Sequence, residues 1–163
     1  MDWPKGGVRA KRERVSASMR RRRRTCALDP GKVRVGVAID DELGAMAHPR
    51  GTLDGRDVEG LVRALRALAD DEDVGRFVVG LPLDMKGGEG QAALEARALA
   101  QRIADGTGRL VELWDERLTT VQAQRELASA NVRGRKARAH IDEAAACAIL
   151  QSWMDAHGHD RAR

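Results

Sequence analysis

The first 24 residues show no periodic placement of apolar side chains, and the pattern begins at Thr25. Thr25-Cys26-Ala27-Leu28 is a short apolar run ended by Asp29-Pro30-Gly31, which predicts a buried strand and a turn. Val33, Val35, Val37 and Ile39 then alternate with Arg34, Gly36 and Ala38, a second strand. Asp40-Asp41-Glu42 predicts a turn, and residues 43–53 a third strand. Such short connections fit a three-stranded antiparallel meander. From about Asp57 the period becomes helical, with Val58, Leu61, Val62, Leu65, Leu68 and Ala69 on one face. Arg76–Pro82 is apolar without alternation, as in a parallel strand covered on both faces. A glycine-rich loop from Met85 to Gly90 leads into a helix over residues 91–104. Residues 109–114 form a fifth strand ended by Asp115. Thr119 with Gln122 makes a capping box for a helix to about Ala130. A basic loop, Arg133 to Arg138, then precedes a last helix over about 139–156.

Three meandering strands followed by α/β units predict an α/β fold: a mixed five-stranded sheet, antiparallel in its first three strands and parallel thereafter, with helices on its faces. Length divides the chain into a disordered basic tail (1–24), one domain (25–156) and a flexible C-terminus (157–163).

Charge changes this picture in one respect. The net charge of +4 conceals a tail with ten Lys and Arg against two acids, a balance of +8, which leaves 19 basic and 23 acidic residues beyond it. The arginine run at 20–24 can attract phosphates without any fold, or be a solvated extension. No stretch approaches the roughly 20 continuous apolar residues of a membrane span, and no apolar segment follows the basic N-terminus as a secretory signal would require. Cys26 and Cys147 are too few and too far apart for a disulfide framework or a zinc site. Buried thiols and a cytoplasmic location are expected, with no membrane partner. His48, His140, His157 and His159 are not spaced as metal ligands.

The informative acids lie where burial disfavours them. Asp29 ends the first strand and Asp115 the fifth. If these strands run parallel, both acids emerge at the carboxyl edge of the sheet, where ligand sites form in doubly wound proteins. Asp142 shares a helix face with Ala145, Ala146, Ile149 and Trp153, the face expected to pack on the sheet. There it is paired, protonated or bound to a cation; alternatively it is a first-turn acid favoured by the helix dipole. An oxygen-only ligand set suits Mg²⁺ or Mn²⁺ rather than zinc. Metal held by carboxylates is the arrangement for phosphodiester hydrolysis.

Four blocks carry a family resemblance: Leu28-Asp29-Pro30-Gly31-Lys32-Val33-Arg34-Val35-Gly36-Val37-Ala38; Val78-Val79-Gly80-Leu81-Pro82-Leu83 through Gly87; Asp115-Glu116-Arg117-Leu118-Thr119-Thr120; and Ile141-Asp142-Glu143-Ala144-Ala145-Ala146 with Ile149-Leu150-Gln151. In this order the chain resembles the YqgF (RuvX) family of pre-16S rRNA nucleases, also described as Holliday-junction resolvases. The resemblance implies a ribonuclease-H-like fold and metal-dependent cleavage of structured nucleic acid. It places catalytic acids at Asp29, at the Asp115–Glu116 pair and at Asp142. Adjacent strand residues point to opposite faces, so one of Asp115 and Glu116 is expected to reach the metal, with Glu116 favoured beside Asp29 and Asp142. Lys32, Arg34 and Arg117 are candidates for substrate phosphates, as are Arg133, Arg135, Lys136 and Arg138. The partners implied are pre-rRNA or branched DNA and a pre-ribosome, for a monomer or a homodimer; a non-catalytic assembly factor on the same fold is the rival from another class. Four aromatic residues leave little for base stacking. Where the family usually has Asn after Gly-Leu-Pro-Leu, this chain has Asp84. Either Asp84 faces away from substrate, or the loop binds differently, with Gly87, Gly88 and Gly90 offering amides to a phosphate.

Overall fold

The computed structural model describes residues 22–119 and 134–158, with Arg135 and Lys136 described in backbone only. The expected helix beyond Thr119 and the residue Arg133 lie outside the described residues, as do residues 1–21 of the tail and 159–163 of the C-terminus.

Five strands form one sheet in the order β3-β2-β1-β4-β5. They are β1 (Arg24–Pro30), β2 (Arg34–Asp40), β3 (Ala47–Asp54), β4 (Val74–Leu81) and β5 (Leu110–Asp115). The first three pair antiparallel, whereas β4 runs parallel to both β1 and β5. The helices are α1 (Val58–Glu72), α2 (Gln91–Thr107) and α3 (Arg135–His157).

Alternation in the strands divides the core between two faces. Cys26, Leu28, Val35, Val37, Ile39, Phe77 and Val79 point to one side, where Leu61 and Leu65 of α1 and Ile103 of α2 cover them. Ala27, Ala38 and Val78 point to the other and meet Ala145, Ala146, Ile149, Leu150 and Trp153 of α3. The residues are small on that second face, so α3 lies close to the strands. At its nearest point an ideal Cβ on Gly36 would overlap the carbonyl group of Asp142 and stand 3.1 Å from the Glu143 nitrogen. Asp57 caps α1 by accepting from the Gly60 amide at 3.1 Å, and α2 ends at Gly108 in the left-handed conformation (φ 68°) that glycine tolerates best.

Several boundaries differ from expectation. Asp29 and Pro30 belong to β1, so the turn is Gly31 to Val33. The third strand is an exposed edge over 47–54 rather than 43–53, and Pro49 suits an edge that need not donate to a further strand. Order begins before Thr25: Arg24 is in β1, and Arg22 and Arg23 pair with Asp40 and Asp73. His157, assigned to a flexible C-terminus, closes the last turn of α3 and donates from Nδ1 to the Trp153 carbonyl at 2.8 Å. The largest correction concerns the basic loop. Arg135 to Arg138 form the first turn of α3, which therefore starts four residues early. Lys, Arg and Ala are all good helix formers, and Gly134 marks the break before them.

Candidate active site

The carboxyl end of β1 holds Asp29, which is 3% exposed. It follows Ala27 in the two-residue alternation and so shares the α3 side of the sheet. Across the antiparallel pair its partner is Gly36. The α3 backbone at Asp142 rests on that same Gly36. A residue with a side chain at position 36 would hold the helix away; glycine lets Asp142 approach the end of β1. Because α3 starts at Arg135, Asp142 lies in its third turn, and the first-turn dipole explanation does not apply. Its carboxylate accepts from Arg34 Nε at 3.0 Å, with both side chains about one-quarter exposed.

The middle acid comes from the end of β5. Glu112 and Trp114 face α3: Trp153 Nε1 donates to Glu112 at 3.0 Å and Trp114 Nε1 to Ser152 Oγ at 3.0 Å. Two residues on, Glu116 opens a one-turn 3₁₀ helix (Glu116–Leu118) and is 2% exposed. Its carboxylate occupies space over Gly80 of β4, where an added Cβ would stand 2.8 Å from Glu116 Oε1 and 2.7 Å from Ile149 Cδ1. Ser152 Oγ donates to the Leu118 carbonyl at 3.0 Å, so α3 also anchors the turn that carries Glu116. Asp115 is placed otherwise. Its register partner Leu81 packs with Ala93 and Ala96 of α2, on the opposite face. Its side chain caps the Arg117 amide at 2.9 Å and holds the Arg117 guanidinium at 2.7 Å. Arg117 keeps the Asp115 carboxyl below its ordinary range, first through the side-chain hydrogen bond.

Asp29, Glu116 and Asp142 thus occupy one face at one end of the sheet, and Asp115 does not. As the side chains stand, no three acids, histidines or cysteines among the described residues close around a single point; Asp142 is turned to Arg34. In kind, the all-oxygen set suits a hard divalent cation, and two of its members are buried carboxylates of the sort that pairing or a cation stabilises.

The basic candidates are dispersed around this end. Lys32 is exposed in the β1–β2 turn, Arg34 is engaged by Asp142 and Arg117 by Asp115. Arg138 is exposed near the start of α3, and Arg135 and Lys136 join it there in backbone position. The glycine-rich loop differs from the phosphate-cradle expectation. Asp84 Oδ1 accepts from the Lys86 amide at 2.9 Å and the Gly88 amide at 2.6 Å, and its carbonyl accepts from the Gly87 amide at 3.0 Å. The carboxylate therefore faces inward, and the Gly87 and Gly88 amides are used within the loop. Cys26 is buried and Cys147 half-buried, both as free thiols. No helix among the described residues is long and apolar enough to cross a membrane.

A mixed sheet in this order, with helices on both faces, is a ribonuclease-H-like fold. Thermus thermophilus RuvC, solved in complex with a Holliday junction substrate, superposes on it with a TM-score of 0.54; at 14% identity, over 84% of this chain and 97% of that one, the likeness is one of fold. The family model of RuvX, described as Holliday junction resolvase, matches residues 23–156, and the chain belongs to that family of nucleases, hydrolases acting on nucleic-acid phosphodiesters. A Myxococcus xanthus protein is 43% identical over 134 residues, covering 82% of this chain and 89% of its own. One from Streptomyces coelicolor is 44% identical over 136 residues, covering 83% and 81%. Both carry the name "Putative pre-16S rRNA nuclease".

Sequence reasoning overlooked Gly36 and Gly80. Each is an isolated glycine inside a strand pattern, which signals a close backbone approach or a neighbour needing the space.

Proposed function

We propose that this chain hydrolyses phosphodiesters in precursor 16S rRNA, processing its 5′ end with a divalent cation, Mg²⁺ or Mn²⁺, held by Asp29, Glu116 and Asp142. One observation carries the reading: three carboxylates from β1, the turn after β5 and α3 come to one face of one sheet end, with a glycine at each crossing that admits them. A bound cation would supply an activated water and neutralise charge developing on the leaving oxygen. The chain's own groups do the rest. Asp29 and Glu116 lie in the buried part of the site, where a carboxylate is an effective ligand or proton acceptor because water competes little. Asp142 would hold the cation with the carboxylate oxygens that now accept from Arg34, leaving that guanidinium for a substrate phosphate. Lys32, Arg34, Arg117, Arg133, Arg135, Lys136 and Arg138 bind and orient backbone phosphates. The relatives' name favours pre-rRNA, acted on in the cytoplasm as part of a pre-ribosome.

The family description favours a second reading, resolution of four-way DNA junctions, which needs two symmetric cuts and so a homodimer. The test is cleavage of a pre-16S leader RNA and of a four-way DNA junction with Mg²⁺ or Mn²⁺. Wild type should cut the RNA, and Asp29→Asn, Glu116→Gln and Asp142→Asn should each lower the rate by about 10²-fold or more. Cleavage that survives all three substitutions sinks the site assignment; cutting of the junction alone moves the function to the second reading.

A further inference from the structure

At the opposite end of the parallel strands, their first residues enclose a cleft of about 640 Å³. Arg22, Arg23, Arg24, Arg76 and Arg109 line it with one carboxylate, Glu112. The acids that pair with four of these arginines, Asp40, Asp73, Glu72 and Asp70, are not among the lining residues. The arginines are committed unequally. Arg24 spends all three nitrogens on the Asp40 carbonyl and Glu72, and Arg22 NH2 is taken by Asp40 and the Asp41 carbonyl. Arg23 reaches Asp73 with Nε alone at 3.3 Å, in a pair nearly half exposed on both sides. Arg109 gives NH2 to Asp70 at 2.6 Å, and its buried Nε meets no acceptor among the described residues. Arg76 stands 5.2 Å over the Trp153 ring and makes no ion pair among the described residues. Gly75 and Gly108 leave the floor without side chains, and the stem of Arg23 lies against Gly75.

We infer that this cleft is a second phosphate-binding site, which grips the backbone of the nucleic-acid substrate away from the point of cleavage; the inference rests on the nuclease reading above. Guanidinium forks with unused N–H groups match phosphate oxygens in geometry and charge. The cleft meets β1 at Arg24 and Thr25, whereas the carboxylates meet it at Asp29. At about 3.3 Å per residue the two sites are roughly 15 Å apart along the strand. That line runs through the buried strand, so a backbone with one phosphate per about 3.4 Å must pass around it over the surface and needs at least about five nucleotides, which a mononucleotide cannot supply. The ligand is therefore a polynucleotide backbone, and Arg23, Arg76 and Arg109 hold it.

Fluorescence anisotropy of the full chain tests this, with the leader RNA left long or trimmed to three nucleotides on either side of the cut. Arg23→Gln/Arg76→Gln should weaken binding of the long RNA about tenfold and reduce the salt slope, log K against log [salt], by roughly two. Binding of the trimmed RNA, and the cleavage rate at saturation, should match wild type. Should the double variant melt early through loss of the Arg76–Trp153 contact, Arg23→Gln alone should lower the slope by roughly one. Unchanged slopes, or equal loss on long and trimmed RNA, overturn the inference. If wild type binds the long RNA without cutting it, the nuclease reading fails, and the slopes still decide the cleft.

Discussion

The substitution Gly36→Ala tests the structural basis of the site most directly. The ideal Cβ would overlap the Asp142 carbonyl and lie 3.1 Å from the Glu143 nitrogen, and what it meets is helix backbone, not the far end of a mobile side chain. Relief requires α3 to lift from β2, or β2 to buckle beside the irregular register between Gly36 and Ala38, by about 1.5 Å to restore van der Waals contact. Overpacking of this kind costs about 1–3 kcal/mol. For a domain of this size that lowers the melting temperature by roughly 3–12 °C. The functional loss should be larger, because the lift carries Asp142 away from Asp29, the register partner of Gly36. A displacement of about 1 Å in a reacting group costs on the order of 10²-fold in rate. The assay pairs thermal melts with cleavage measured well below the melting point. A variant that melts and cuts like wild type refutes the close crossing. One that melts early yet cuts normally refutes the link between that crossing and the site.

The remaining predictions separate neighbouring roles. Gly80→Ala presses on Glu116 Oε1 and Ile149 Cδ1, which are side-chain ends that can rotate; it should cost under about 1 kcal/mol in denaturant unfolding yet slow cleavage about tenfold or more. Asp84→Asn should leave the loop intact, because an amide oxygen can accept from Lys86 and Gly88 as the carboxylate does, whereas Asp84→Ala forfeits both bonds, about 1–2 kcal/mol of local stability, and should speed hydrogen exchange of the Lys86–Gly88 amides. Asp115→Asn should retain cleavage where Glu116→Gln does not. Because Arg117 depresses the Asp115 carboxyl, the folded state gains from ionised Asp115 above the ordinary carboxylate pKa of about 4 and loses that gain as pH falls through the folded value; wild type should exceed Asp115→Asn by less than about 1 kcal/mol near neutral pH, with the gap closing in acid.

Most of the fold was legible because two periods, two residues and 3.6 residues, sort the apolar positions, and each strand alternation or helical stripe was long enough to recognise. Two of the failures fell at charged segments. Arg135-Lys136-Ala137-Arg138 has helix-forming residues but no apolar stripe, and among its described side chains Ala137 is half-buried and Arg138 exposed. Arg22 and Arg23 looked like tail because their partners, Asp40 and Asp73, lie 18 and 50 residues away; no local pattern encodes an ion pair of that range.

The site was half legible for a related reason. Burial-incompatible acids at strand ends are visible in sequence, so Asp29 and Asp115 stood out at once, while Glu116 entered through the family resemblance. Choosing between the neighbours needed to know which sheet face α3 covers, and that is a tertiary fact. Once Ala27, Val78 and Trp114 are seen against α3, parity carries the side forward to Asp29, Gly80 and Glu116 and sends Asp115 to the other face. The same parity shows why two of the positions around the acids are glycine. A carboxylate from a turn and the backbone of a helix must both reach the sheet surface, and any side chain at 36 or 80 would occupy that space. The acids carry the proposed chemistry, but the glycines set how closely they gather. In the sequence these appear only as two breaks in otherwise apolar strands.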